Sequence, residues 1–77
     1  MNYIELSIVV RNKVFTEILE AELAELDFES FVNENFTLKA YATSEAYNDS
    51  ESRAILEQYQ DEIESIVTRE IEHQNWN

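Results

Sequence analysis

Apolar and polar residues alternate from Tyr3 to Val10, and this period of two predicts a half-buried strand. The face expected to be buried carries Ile4, Leu6, Ile8 and Val10, and the other face carries Tyr3, Glu5, Ser7 and Val9. Arg11 and Asn12 break the alternation. The Asn12 side chain can accept a hydrogen bond from the first turn of a helix, so we expect one to begin here.

The period becomes helical from Lys13 to about Leu26. One apolar stripe is expected on this first helix, formed by Phe15, Ile18, Leu19, Leu23 and Leu26. The glutamates at 17, 20, 22 and 25 lie mainly off the stripe, which is typical of a solvated helix face.

Two further strands are predicted as a hairpin. Residues Phe28–Val32 are aromatic and β-branched, and Asn33–Asn35 supplies turn residues without glycine or proline. Alternation then resumes from Phe36 to Ala42. In that strand Phe36, Leu38, Ala40 and Ala42 lie opposite Thr37, Lys39 and Tyr41.

A second helix and a fourth strand complete the pattern. Asn48 and Glu51 have the spacing of a capping box, so a helix is predicted from there to about Gln60. Its apolar residues Ile55, Leu56 and Tyr59 are expected to pack on the sheet. The last segment, Ile63 to Glu72, alternates with one mostly apolar face formed by Ile63, Ser65, Val67, Arg69 and Ile71.

The predicted order is therefore β-α-β-β-α-β, an α+β fold of the ferredoxin-like type. Right-handed crossovers give a four-stranded antiparallel sheet with both helices on one face and the first and third strands in the centre. The opposite face is then expected to carry Tyr3, Val9, Phe31 and Tyr41, and large apolar groups on a free sheet face favour a contact surface.

The composition argues against cofactor-binding functions for this chain. The chain has 77 residues, enough for one domain, and contains no glycine and no cysteine. Loops that wrap dinucleotides or S-adenosylmethionine need glycine for close backbone approach, so no cofactor site is expected in this chain. The absence of cysteine fits a reducing, cytoplasmic setting. The first residues do not predict a secretory signal, and no apolar run approaches the roughly 20 residues that span a bilayer.

The charge balance narrows the partner class. Seventeen acidic residues against five basic ones give a formal net charge of -12. This field repels nucleic-acid phosphates and anionic membrane surfaces and attracts basic proteins, although an acidic surface also serves solubility alone.

No residue combination predicts catalysis or metal binding. His73 is the only histidine and lies in a polar segment without convergent partners, so we expect a solvated side chain. The candidate site is instead a partner-binding surface on the free sheet face. It consists of the aromatic residues Tyr3, Phe31 and Tyr41 and the flanking acids Glu5 and Glu29.

Several segments together resemble one family. They are Met1–Glu5, Thr16–Leu19 and Ala21–Leu23, Leu26–Val32, Ala40–Tyr41 and the terminal Gln74–Asn77. In this order they resemble the N-terminal domain of the methyltransferase that modifies large-subunit ribosomal protein eleven. Family members generally have glycine at the positions of Ala24 and Asp27.

The resemblance implies a substrate-recognition domain over residues 1–72 and the start of a linker at 73–77. This domain would hold a basic ribosomal protein while a separate C-terminal domain, beyond Asn77, transfers methyl groups from S-adenosylmethionine. On that expectation these residues alone are non-catalytic. Two alternatives stay open: a free-standing acidic protein that mimics nucleic acid, and a structural domain that associates with itself through a sheet edge or the aromatic face.

Overall fold

A computed structural model describes residues 2–72, so His73 and the predicted linker at 73–77 lie outside the described residues. The elements follow the predicted order. They are β1 (Asn2–Val10), α1 (Val14–Leu23), β2 (Ser30–Glu34), β3 (Thr37–Thr43), α2 (Asp49–Glu57), a 3-10 turn (Gln60–Glu62) and β4 (Ile63–Glu72).

The four strands form one antiparallel sheet in the order β2-β3-β1-β4. The prediction that the first and third strands are central is confirmed, and so is the ferredoxin-like α+β class. Both helices pack on the same face, where the core lies. Its buried members are Leu6, Ile8 and Val10 of β1, Leu38 and Ala40 of β3, Leu19 and Leu23 of α1, Leu56 of α2 and Ile63 of β4.

The first helix begins as predicted but is shorter. The Val14 N–H donates to Asn12 Oδ1 at 3.1 Å, so the asparagine side chain satisfies a free donor of the first turn. The predicted apolar stripe is wrong at Ile18, which is 36% exposed, because Thr16 occupies the buried position instead. The Thr16 hydroxyl donates to the Lys13 carbonyl at 2.7 Å and accepts from Asn33 Nδ2 at 2.8 Å. The buried hydroxyl is therefore satisfied both as a donor and as an acceptor.

The hairpin is shifted relative to the prediction. The strand β2 begins at Ser30 and the turn lies at residues 35–36, where Asn35 adopts a φ of 55°. Asparagine tolerates this left-handed conformation better than most residues, which explains a tight turn without glycine. Phe36 therefore sits in the turn and is 48% exposed, and does not share the buried face with Leu38.

The register of this hairpin places Phe31 on the face that the helices cover. Phe31 pairs with the buried Ala40, and paired residues of neighbouring strands point to the same side. Its ring centroid lies 5.8 Å from that of Phe28, and both rings pack against the core. The prediction that Phe31 belongs to the free face was wrong, because a strand read alone does not reveal which of its two faces is buried.

The second helix is capped by the Asn48 side chain, which is one half of the predicted capping box. The Glu51 N–H donates to Asn48 Oδ1 at 3.0 Å. The helix ends at Glu57, earlier than the expected Gln60, and the chain continues as the 3-10 turn. Leu56 is buried and Ile55 packs against the core, as does Tyr59 beyond the helix end.

A register shift splits the predicted apolar face of β4. Val9 pairs with Ser65 but Val10 pairs with Ile63, so Glu64 is the extra residue of a β-bulge. Ile63 consequently joins the core, whereas Val67 lies on the opposite face, with the rest of the predicted set after the bulge.

One buried hydroxyl on α2 gives a testable prediction about stability. Ser52 is 1% exposed, and its Oγ has no hydrogen-bond partner among the described residues. We expect Ser52→Ala to raise the free energy of unfolding by about 1 kcal/mol, because it removes an unsatisfied polar group and improves helix propensity. Urea denaturation measures the change, with the exposed Ser50→Ala as the matched helix control. A lower midpoint for Ser52→Ala would mean that the hydroxyl makes a stabilising bond.

Candidate functional site

The face of the sheet opposite the helices is called the open face here, and strand pairing defines its members. They are Ser30, Val32 and Glu34 of β2, Thr37, Lys39, Tyr41 and Thr43 of β3, Tyr3, Glu5, Ser7 and Val9 of β1, and Ser65, Val67, Arg69 and Ile71 of β4. All of them are half-buried or exposed except Glu5, which is 8% exposed. A nearly buried carboxylate therefore stands among accessible side chains.

Glu5 is buried because side chains from both neighbouring strands cover it. Tyr41 on β3 and Arg69 on β4 are its two cross-strand partners. The Tyr41 hydroxyl donates to Glu5 Oε2 at 2.8 Å, and Arg69 Nη1 lies 3.6 Å from Glu5 Oε1. The second distance is that of an ion pair and too long for a good hydrogen bond. Tyr41 is thus held firmly, while the Arg69 side chain, 68% exposed, is held loosely.

Both tyrosines of the open face are paired with carboxylates. Burial raises the pKa of Tyr41, and its hydrogen bond to Glu5 raises it further. The pKa of Tyr3 is also raised, first by the negative charge of Glu29 and then by a hydrogen bond to that carboxylate. Both phenols are neutral at physiological pH, and the hydrogen bond to Glu5 orients the Tyr41 ring.

Four of the five residues predicted for the partner-binding surface lie together. Tyr3, Glu5 and Tyr41 are on the open face, and Glu29 borders it, since its negative charge acts on the Tyr3 phenol and raises the pKa of that group. Phe31 is separated from them by the sheet. The position that sequence reasoning missed is Arg69, although its spacing from its neighbours in β4 placed it on a common face with them.

The rest of the open face combines accessible valines with charged side chains. Val67 is 49% exposed and Val32 is 39% exposed, and they lie on the two edge strands with the tyrosine and glutamate cluster between them. Lys39 and Arg69 are two of the five basic residues of the chain. Aromatic anchors, accessible valines and mixed charges suit non-covalent binding of another protein.

Within residues 2–72 no group of three or more histidine, cysteine, aspartate or glutamate side chains could hold a metal ion. In the same part of the chain no helix is long and apolar enough to cross a bilayer.

No protein-family model matches the chain, and neither a curated protein nor a solved structure does so.

Proposed function

We propose that this domain is a protein-recognition module that binds a basic protein on the open face. On the resemblance described above, the partner is a ribosomal protein in the cytoplasm, held for methylation by a separate S-adenosylmethionine-dependent domain. The observation that carries the proposal is the pair of tyrosines on an otherwise accessible sheet face, of which Tyr41 is held by a 2.8 Å hydrogen bond to Glu5.

Oriented tyrosines favour binding because they lose little conformational freedom when a partner arrives. A tyrosine ring buries a large area and has only two rotatable side-chain bonds. The hydroxyl of Tyr41 is already bonded to Glu5, so its ring is held before the encounter. Preorganisation of this kind reduces the entropy that binding costs.

The charges select a basic partner. The net charge of -12 attracts positive proteins over long distances. At short range the exposed Arg69 is held only loosely beside Glu5 Oε1, so a guanidinium or ammonium group of the partner can displace it and pair with the same carboxylate. Glu29 and Glu34 add acids at the margin of the open face. Lys39 and Arg69 interrupt this acidity, which disfavours the open face as a mimic of the uniformly negative nucleic-acid backbone.

Salt dependence tests the electrostatic part of the proposal. We expect the rate constant for association with the basic ribosomal protein to fall about tenfold between about 0.1 M and 1 M salt, because long-range attraction raises association rates by this order or more. Over that range the Debye length shortens from about 10 Å to about 3 Å. Stopped-flow fluorescence measures the rate, and an unchanged rate would eliminate electrostatic steering.

A pair of charge reversals localises the effect. Glu29→Lys and Glu17→Lys change the net charge equally, but only Glu29 borders the open face, and Glu17 lies on α1. Glu29→Lys is therefore expected to slow association more. Equal slowing would show that the partner senses the total charge and not this face.

A further inference from the structure

Of the two edge strands of the sheet, β4 is the longer, with ten residues against five in β2. The strand has ten residues, and its single neighbour among residues 2–72 is β1. Every residue from Glu64 to Glu70 is exposed. In an antiparallel pair alternate residues direct their N–H and C=O groups away from the partner strand, so an edge strand presents a row of donors and acceptors that can pair with another strand.

A groove runs beside this edge on the face that carries the helices. It lies between α2 and β4 and encloses about 390 Å³. Its apolar lining includes Leu6, Leu56 and Ile66, and Ile66 is 46% exposed although it faces the helix layer. Ser52 also lines the groove, and it is the residue whose buried hydroxyl has no partner within the described chain.

The charges along the edge and the groove are predominantly negative. Glu64, Glu70 and Glu72 belong to β4, and Glu57 lines the groove. The arginine of the groove, Arg53, is already paired with Asp49 at 2.7 Å. The edge of β4, the groove beside it and their negative charge together suit an extended peptide that carries positive charge.

We propose that an extended basic peptide segment binds by adding a strand to the free edge of β4. Its backbone would pair with β4, and every second side chain would point towards the groove between α2 and β4. Strand addition beside a helix gives affinity through main-chain hydrogen bonds and selectivity through the pockets that alternate side chains enter. This surface is separate from the open face, so the proposal goes beyond the recognition function given above.

A second copy of the chain is a poorer occupant of the same edge. Each copy carries a net charge of -12, so association brings two strongly negative domains together. Antiparallel pairing of two β4 strands about Val67 would also set Glu64 of each copy opposite Glu70 of the other. Like charges directly opposite one another destabilise a strand pair.

Backbone methylation of a peptide probe tests strand addition directly. The probe is a fluorescein-labelled peptide of alternating lysine and valine, about eight residues long and blocked at both ends, and fluorescence anisotropy measures its binding to the full chain. An added strand donates from every second N–H group. We therefore expect N-methylation of one alternate set of residues to weaken binding at least tenfold, and N-methylation of the other set to change it less than about twofold. Equal effects of the two sets, or binding that does not saturate, would overturn the proposal.

Two matched substitutions locate the site on the protein. Ile66→Lys and Val14→Lys add the same charge at apolar residues that are 46% and 48% exposed, but only Ile66 lies at the groove. Ile66→Lys should weaken binding of the unmodified probe at least tenfold and Val14→Lys less than about threefold, with native circular dichroism for both. Equal weakening by the two substitutions would mean that the probe senses only the net charge of the domain, which would contradict binding at the groove. Sedimentation of the free chain as a micromolar dimer that Ile66→Lys abolishes would show that a second copy takes the edge, which also overturns the proposal.

Discussion

Tyr41→Ala should lower the affinity of the domain for its basic protein partner about 30-fold, which corresponds to about 2 kcal/mol. Tyr41 lies on a central strand, it is half-buried on the open face, and its hydroxyl is anchored to Glu5 at 2.8 Å. Aromatic residues at the centre of an interface account for most of the binding free energy, whereas charges at the rim mainly affect association rates. Isothermal titration calorimetry measures the loss.

The control for this experiment is an aromatic residue away from the open face. Phe36 is 48% exposed in the β2–β3 turn, so Phe36→Ala removes a comparable apolar group and should change affinity little. Glu20→Ala tests the competing idea that the acidic face of α1 is the docking surface. If Glu20→Ala reduced affinity more than Tyr41→Ala did, with all variants folded, binding at the open face would have to be abandoned. Phe31→Ala is unsuitable, because Phe31 packs against the core and its truncation should reduce stability.

Ile8→Ala should destabilise the fold by about 3 kcal/mol, the middle of the range for deleting a buried isoleucine side chain. Ile8 has no exposed surface and lies on β1, between Leu38 of β3 and Ile66 of β4. A domain of this size buries a small core and has little stability in reserve. The urea midpoint should therefore fall steeply, and a large part of the population should be unfolded at 37 °C.

The structure provides a closely matched control on the neighbouring strand. Ile66 is the register partner of Ile8, faces the same side of the sheet and is 46% exposed. Ile66→Ala removes the same atoms, but we expect it to cost less than about 1 kcal/mol because these atoms are already partly in water. Equal costs at the two positions would contradict the difference in burial between them, and with it the accessible groove beside Ile66.

Most residues predicted for the candidate site do lie on the open face. Alternation in β1 separated Tyr3 and Glu5 from the buried residues, and the same pattern in β3 separated Tyr41. These residues could be found because each lies in a strand whose other face is plainly apolar. The segment around Phe31 has apolar residues on both faces, so its sequence favours neither orientation. The two-residue turn at residues 35–36 sets the register of β2 against β3, and this register places Phe31 on the face that the helices cover.

The contacts of the site depended on partners distant in sequence. Glu5 meets Tyr41 and Arg69 only because β1 lies between β3 and β4, in a register that places all three in one row. The bulge at Glu64 then determines which residues of β4 join that face and which, like Ile63, enter the core. No local pattern encodes either fact, since both depend on pairing between strands that are far apart along the chain.

The sequence by itself determined the order of the elements, the ferredoxin-like α+β class, the cap at Asn48 and the strongly negative field. Each of these follows from residue periodicity, a short-range hydrogen bond or a sum of charges, all of which are local or additive properties. Only the tertiary structure decided that Phe31 packs under the helices, that Glu5 is buried between a tyrosine and an arginine, and that β4 leaves an edge and a groove accessible. These are matters of strand register and layer packing, in which a shift of one residue moves every side chain to the opposite face.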